Sequence, residues 1–373
     1  MKVSSYSKVL FLAIFSVFAL SISAQGDSTI IEKAETTTEQ EAADKQPETF
    51  NPTPMIMEHI ADAHHFHIVG KMHLPLPVIL YNRNTGSLSV FSSNRFMNHE
   101  THEANEEVDG YRLEEGKIVR EDQAKFFDFS ITKNVFSMLI GATLMLLIFF
   151  SVAGAYNTRK NKAPKGLQAI VEPLVVFVRD DIAKPGLGKN YERFLPFLMT
   201  AFFFILINNL LGLIPFFPGG ANVTGNIAVT MVLAVFSGIL ININGTKDYW
   251  KHIFWPPVPH ALKVLMIPVE VIGVITKPVT LMIRLFANIT AGHIVVLSLI
   301  SLIFVFGNYN PSKDLVQSPM GAGFGAVVAI LFTLFISVIE LLVAFIQAFI
   351  FTMLSAVFIG MALEEHEAHE AHH

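Results

Sequence analysis

The chain has 373 residues, of which 52% are hydrophobic and 15% charged, with a mean hydropathy of +0.50. An ordinary soluble domain carries nearer a quarter charged residues. The deficit falls almost wholly after Ile131, where uncharged runs long enough to span lipid appear. The formal net charge of −5 says little about partners, because acids and bases fall in different compartments, and the lack of cysteine excludes disulfides, thiolate metal sites and thiol catalysis.

In chain order, Lys2 and Lys8 give a basic start, Val9 to Leu20 an apolar stretch, and Ser21, Ser23 and Ala24 a run of small residues. This pattern predicts a signal peptide over 1–24. An uncleaved anchor helix is the other reading, though the apolar run is shorter than the roughly 20 residues a span needs. Either way, the following segment is expected outside the cytoplasm. Residues 25–50 are polar and rich in Glu, Thr and Ala, a linker composition. Residues 51–130 are mixed and contain LPLPVILYNRNTGSLSVFSS, a strand-turn-strand pattern with Asn84-Thr85-Gly86 at its bend. Residues 25–130 are thus expected to form an extracytoplasmic linker and small domain.

The first span is expected over Asn134–Tyr156. Arg159, Lys160, Lys162 and Lys165 follow it, and clustered bases mark the cytoplasmic side. The stretch 157–193 has helical character, broken at Pro173 and Pro185. A second span over Phe194–Ile214 ends in the uncharged turn PFFPGGAN, which suits the outer side. A third over Asn226–Ile243 returns to Lys247 and Lys251. From Leu265 to Phe306 the ionisable residues are Glu270, Lys277, Arg284 and His293; from Phe324 to Leu363 there is Glu340 alone. About forty helical residues cover roughly 60 Å, twice the hydrocarbon thickness. Either both helices lie strongly tilted or each is broken, with Pro268 and Pro278 as bends in the first. The loop NYNPSKDLVQSPMG makes the two antiparallel.

The fold class expected is therefore an all-α integral membrane protein. It has five transmembrane helices, a long tilted antiparallel pair at the C-terminal end and a small N-terminal extracytoplasmic segment. Residues 131–366 are expected to form the membrane domain and 367–373 a cytoplasmic His-rich tail.

Ionisable groups at membrane depth cost roughly 2.5–3.5 kcal/mol on insertion scales and mark function by default. Arg284 stays protonated, so it cannot relay protons. It can stabilise a passing carboxylate and repel a passing cation. Snorkelling near a helix end is the bland alternative, and it suits Lys277 better than Arg284. With the two long helices antiparallel and Gln347 level with Arg284, His293 and Glu340 fall at nearly one depth, where together they can pass protons near neutral pH. A static Glu–His bond is the structural alternative, and plain packing the alternative for Gln347. Nine residues turn an ideal helix by half a circle, so Arg284 and His293 face opposite ways.

These residues sit in segments that resemble a known family. MIRLFANITAGH (282–293), IQAFIFTMLSAVFIGMALEEH (346–366) and FILINNLLGLIP (204–215), in this chain's arrangement, are similar to subunit a of F-type rotary ATP synthases, over about 131–366. The resemblance implies a proton-conducting stator subunit with two offset half-channels against a rotating c-ring, and b subunits of the peripheral stalk as further partners. It implies that Arg284 faces the ring's carboxylates with Asn288 and Gln347 as polar neighbours. His293 and Glu340 match positions filled by an acid and a histidine in either arrangement. Asn209 matches an outer half-channel asparagine and Glu270 an acid near the inner one. Some members have an acid where this chain has Gly212. The resemblance also implies a bacterial inner membrane location, while the basic clusters and the five expected spans place the N-terminus outside and the C-terminus in the cytoplasm.

GLGKN (186–190) lacks phosphate-loop spacing. The chain is expected to hold no catalytic site, cofactor or metal of its own and to bind neither nucleotide nor nucleic acid. The histidines at 59, 64, 65, 67 and 73, and at 366, 369, 372 and 373, read best as solvated, although His366, His369 and His373 share a helical face. A secondary ion transporter and a membrane scaffold are the rival readings; no internal repeat supports the first.

Overall fold

A computed structural model describes residues 50–69, 72–96, 107–114, 116–120, 125–158, 162–214, 217–310 and 315–364. The expected signal peptide, most of the linker and the His-rich tail lie outside the described residues.

Before the first span, the chain builds a small unit with its own apolar core. Helix α1 (Pro52–Ile60) is capped by Asn51, whose side chain accepts from the Thr53 N–H at 3.0 Å. Strands β1 (His65–Val69) and β2 (Met72–Pro75) pair antiparallel. β3 (Pro77–Asn82) is the centre of a sheet between β4 (Leu88–Ser92) and β7 (Phe126–Asp128), while β5 (Tyr111–Glu114) pairs with β6 (Lys117–Arg120). The bend expected at Asn84-Thr85-Gly86 joins β3 to β4, with Gly86 at φ 66. Alternation sets the faces: Val78, Leu80 and Asn82 of β3 are buried while Pro77 and Tyr81 are exposed. Val78 and Leu80 pack with Phe91, Phe96, Tyr111 and Ile118.

This unit is fastened to the start of α2 (Lys133–Thr158). Asp62 accepts from the Asn134 N–H at 3.0 Å and from Thr132 Oγ1 at 2.8 Å. The Lys133 ammonium donates to the His59 carbonyl at 3.0 Å, and its N–H to the Ala63 carbonyl at 2.7 Å. Burial pushes the Asp62 carboxyl above its ordinary value, against the pull of those bonds and of Lys133. Burial acts the same way on Asp128, but there the hydrogen bonds of His64 and Ser130 win and hold the carboxyl below its ordinary value.

The rest is helical. α3 (Leu167–Phe177) runs through Pro173, passes a π-helical turn over Val178–Ala183 and continues as α4 (Lys184–Leu187). Pro185 has no N–H for a carbonyl four residues back, and the π turn lies immediately before it. The break expected at the prolines therefore does not occur. After a short 3₁₀ turn, α5 (Tyr191–Gly212) follows, so that 167–212 is one long apolar run. α6 (Ile227–Ile243) is capped by Asn226, and α7 (Lys247–Phe254) by Thr246. α8 (His260–Phe306) and α9 (Pro319–Leu363) are joined by a small hairpin of β8 (Tyr309–Asn310) and β9 (Leu315–Val316).

Four helical runs are long and apolar enough to cross a membrane; α6 and α7 add a fifth if that pair, bent by 103°, counts as one span. The chain is thus a mostly helical membrane protein, with four or five candidate spans among the described residues. α8 and α9 are each unbroken, 47 and 45 residues long, and Pro268 and Pro278 lie inside α8 without ending it. α9 packs along α8 and across α5, α6 packs on α8, and α2 on α5. Leu198, Phe202, Ile205, Leu281, Leu285 and Ile359 are fully buried where they meet. Long stretches of α8 and α9 stay uncovered, with Val264, Leu265, Ile275, Val327, Leu334 and Val338 exposed.

Candidate functional site: a polar cavity between three helices

The polar residues of α5, α8 and α9 meet at one small cavity. Glu340 of α9 lies against Gly292 of α8, where a Cβ would stand 2.5 Å from its Oε1. Any other residue there would push the carboxyl away. The next residue, His293, turns toward α5, and its Nε2 lies 3.6 Å from where a Cβ on Gly212 would be. An acid at Gly212 would therefore sit beside the imidazole. Asn209 is held at both ends: its Nδ2 donates to the Ala344 carbonyl at 3.2 Å, and its Oδ1 accepts from Thr224 Oγ1 at 2.5 Å.

Asn208, Asn209, Thr224, Asn288, His293 and Glu340 all line this cavity, which measures about 20 Å³. That is room for one or two waters and far too little for an organic ligand. No hydrogen bond or ion pair joins Glu340 to His293 among the described residues, so the two share a cavity rather than a static bond. A carboxyl, an imidazole and water between them are the parts of a proton relay.

Arg284 stands apart from the cavity. It precedes His293 by nine residues, about 13.5 Å along the helix, and points elsewhere, exposed on the uncovered face. Among the described residues it makes no hydrogen bond or ion pair. Asn288, one turn on, is exposed on the same side and also borders the cavity. Gln347 is 5% exposed and lies outside the lining. Seven residues on from the Gly292–Glu340 contact, the register places it about level with residue 285, yet no bond to Arg284 is formed among the described residues.

Glu270 lies about 21 Å before Arg284, half-buried, with its carboxylate 4.0 Å from His252 of α7. Cavity and Glu270 thus flank Arg284 along α8. Lys277, between them, places its ammonium over the rings of Phe358 at 5.5 Å and Tyr249 at 6.0 Å. Both are cation–π contacts, seventeen residues into α8.

Sequence reading missed Asn208, Thr224 and Gly292. Asn208 had a signal, a second amide beside Asn209 inside an apolar helix. Gly292, a glycine in a helix interior, had the general mark of close approach. Thr224 lay in a loop read only as a turn. Among the described residues no group of three or more His, Asp or Glu is placed to hold a metal; His64 lies 3.5 Å from Asp128 and His65 stacks edge-on to His73.

Fold and cavity define a multi-pass membrane protein with titratable groups inside its apolar helices and an exposed fixed charge further along one of them. Residues 135–360 match the sequence model of the ATP synthase A chain, and the chain belongs to that family. It is 47% identical over 254 residues to ATP synthase subunit a of Chloroherpeton thalassium, covering 66% of this chain and 71% of that protein. To ATP synthase subunit a of Chlorobium phaeobacteroides it is 46% identical over 253 residues, covering 66% and 69%. To that of Anaeromyxobacter sp. it is 39% identical over 259 residues, covering 66% and 57%. A second family model, a domain of unknown function (DUF8433), matches residues 55–136, the stretch that builds the β-rich unit.

Proposed function

We propose that this chain is the proton-conducting stator subunit of the membrane sector of ATP synthase. It would form two half-channels against a rotating c-ring, with the b subunits of the peripheral stalk as its other protein partners. The observation that carries this reading is Arg284. An arginine that is exposed on an apolar helix face, without an anion among the described residues, calls for a carboxylate that comes and goes. The uncovered faces of α8 and α9 offer a surface for a ring of such carboxylates. A scaffold would leave that charge without a task.

Protons enter from outside by the cavity of Asn209, Glu340 and His293 and neutralise a ring carboxylate. The neutral carboxyl can then cross lipid, where an ion would cost far more. On its return it meets the inner half-channel near Glu270, and the fixed charge of Arg284 favours its ionised form and drives release. The same charge bars protons from passing straight between the half-channels, with Asn288 and Gln347 as its polar surroundings. At about 70 Å each, α8 and α9 must lie steeply tilted to fit a bilayer whose apolar core is about 30 Å thick.

The test is Arg284→Ala in the assembled complex, read in membrane vesicles. ATP-driven acidification is expected to disappear while passive proton flux rises. Arg284→Lys keeps a charge but loses the planar fork and can deprotonate when buried; it is expected to assemble and also to lose coupled transport. Normal acidification by the alanine variant would overturn the assignment.

A further inference from the structure

A second set of buried polar atoms lies outside the mechanism just given, and its members are aligned. Asn134 Oδ1 and Ser137 Oγ on α2 and Asn208 Oδ1 on α5 make no hydrogen bond among the described residues. Their residues are 3%, 0% and 1% exposed. An unmet buried polar atom costs about 1–3 kcal/mol, and such atoms are as a rule met by protein or by ordered water.

Asn134, Ser137 and Gly141 share one face of α2. Gly141 abuts Asn208, since a Cβ there would stand 2.6 Å from Asn208 Oδ1. Five residues before it, Phe136 of α2 stacks on Phe217 beyond the end of α5, so the two helices run antiparallel. Ser137 is therefore about level with Gly212 of α5. Asn208 and Gly212 both line the cavity with His293 and Glu340. At its outer end the same face of α2 begins at Asp62, which accepts from the Asn134 N–H and from Thr132. Lys133 joins them there, its ammonium donating to the His59 carbonyl.

We propose that the described β-rich unit between Phe50 and Thr132 forms the mouth of the entry half-channel, and that a water-filled seam leads from Asp62 past Asn134 and Ser137 to Asn208 and the cavity. This rests on the channel reading above and assigns the outer unit a part in it. Asp62 takes a proton from external water, and water held by the two amides and the hydroxyl carries it inward. Each hop breaks one O–H bond and forms another, so nothing is oxidised and neither asparagine nor serine titrates. The unit's place over α8 fits this role. α1 packs against α8, and Phe50 touches Phe304 at 5.2 Å between ring centres.

The chain has no cysteine, so single thiols can report on the seam in the assembled complex. Asn134→Cys and Ser137→Cys are expected to react with silver ion applied from outside, and the reaction to block ATP-driven acidification. Phe150→Cys, on the exposed lipid side of α2, is the control and should stay unreactive. Ser137→Leu fills the seam with apolar atoms and should cut passive proton flux at least tenfold in vesicles stripped of the catalytic sector. Thiols at 134 and 137 as inert as at 150, or normal flux through an assembled Ser137→Leu complex, would overturn the seam. If Arg284→Ala abolishes pumping while the thiol at 137 stays inert, the seam alone falls. If Arg284→Ala pumps normally, the channel reading falls with it.

Discussion

A carboxyl and an imidazole at one depth can hand on a proton through water only if each can be both charged and neutral there. Glu340 and His293 meet the geometric part of that condition, since both line a cavity one or two waters wide. Glu340→Gln keeps the shape and removes the titration, so proton uptake should fall at least tenfold, about 1.4 kcal/mol of barrier. His293→Ala enlarges the cavity and lets water stand in, so its loss should be smaller. Exchanging the two, with His293→Glu and Glu340→His, should recover part of the loss if they act as one relay. Normal pumping by both single variants would make the pair structural. At this scale the sequence was informative wherever periodicity governs. The nine-residue spacing already turned Arg284 and His293 to opposite faces, and Arg284 is exposed where His293 lines the cavity. The bed of Glu340 at Gly292 was not legible, because a contact between two helices depends on their register, which neither helix carries alone.

Elements show the same division. α6 with its Asn226 cap and the β3–β4 hairpin with its bend follow from local chemistry, and both stand where the residues put them. Whether α8 and α9 tilt or break was not decidable, since an interior proline can either kink a helix or end it, and the residues around it do not say which. α8 takes Pro268 and Pro278 within a single run, with Gly238 of α6 lying against the ring of Pro278. The fastening of the β-rich unit was equally hidden, because Asp62 and Asn134 lie far apart in sequence. That unit carries a pH dependence with a definite sign. The Asp128 carboxyl is held below its ordinary value of 3.8, first opposed by burial and then carried down by His64 and Ser130. Its stabilisation is full above the unfolded value and is lost as pH falls through the folded one. Asp62 runs the other way: its raised value means that ionisation opposes folding as pH rises through it. Asp128→Asn should therefore loosen the unit at neutral pH by roughly 1.5–3 kcal/mol, the range for hydrogen bonds to charged groups. It should also remove the acid limb. Pepsin cleavage within residues 50–130, followed between pH 2 and 5, reads both. An unchanged acid limb in the variant would show that Asp128 is not its source.

The whole molecule has two distinct ends, and the contacts sort the chain between them. The β-rich unit, Phe217, the end of α8 and the β8–β9 hairpin share one end, since Phe66 packs on Phe217 and Phe50 touches Phe304 and Tyr309. Thr246 and the end of α9 share the other, because the Thr246 N–H donates to the Ala362 carbonyl. α4 joins that end through Gly186, whose missing Cβ lets it lie against Ala356. Geometry fixes which residues go together but not which end faces the cytoplasm. Charge supplies the missing sign: Lys162, Lys165, Lys189, Lys247 and Lys251 cluster towards the end of α4 and Thr246, and such clusters stay on the cytoplasmic side. Cysteines replacing Asp109 and Gln317, both exposed at the first end, should therefore label with an impermeant thiol reagent from outside. Cysteines replacing Lys162 and Lys251 should label only from the cytoplasmic side. Two failures mean different things. If Asp109→Cys and Lys162→Cys label from one side, α2 does not cross the membrane and the arrangement itself is wrong. If all four label from the side opposite to that expected, the helices stand as described. The cavity of Glu340 and His293 would then open to the cytoplasm as an exit, and the β-rich unit would guard the release of protons instead of their entry.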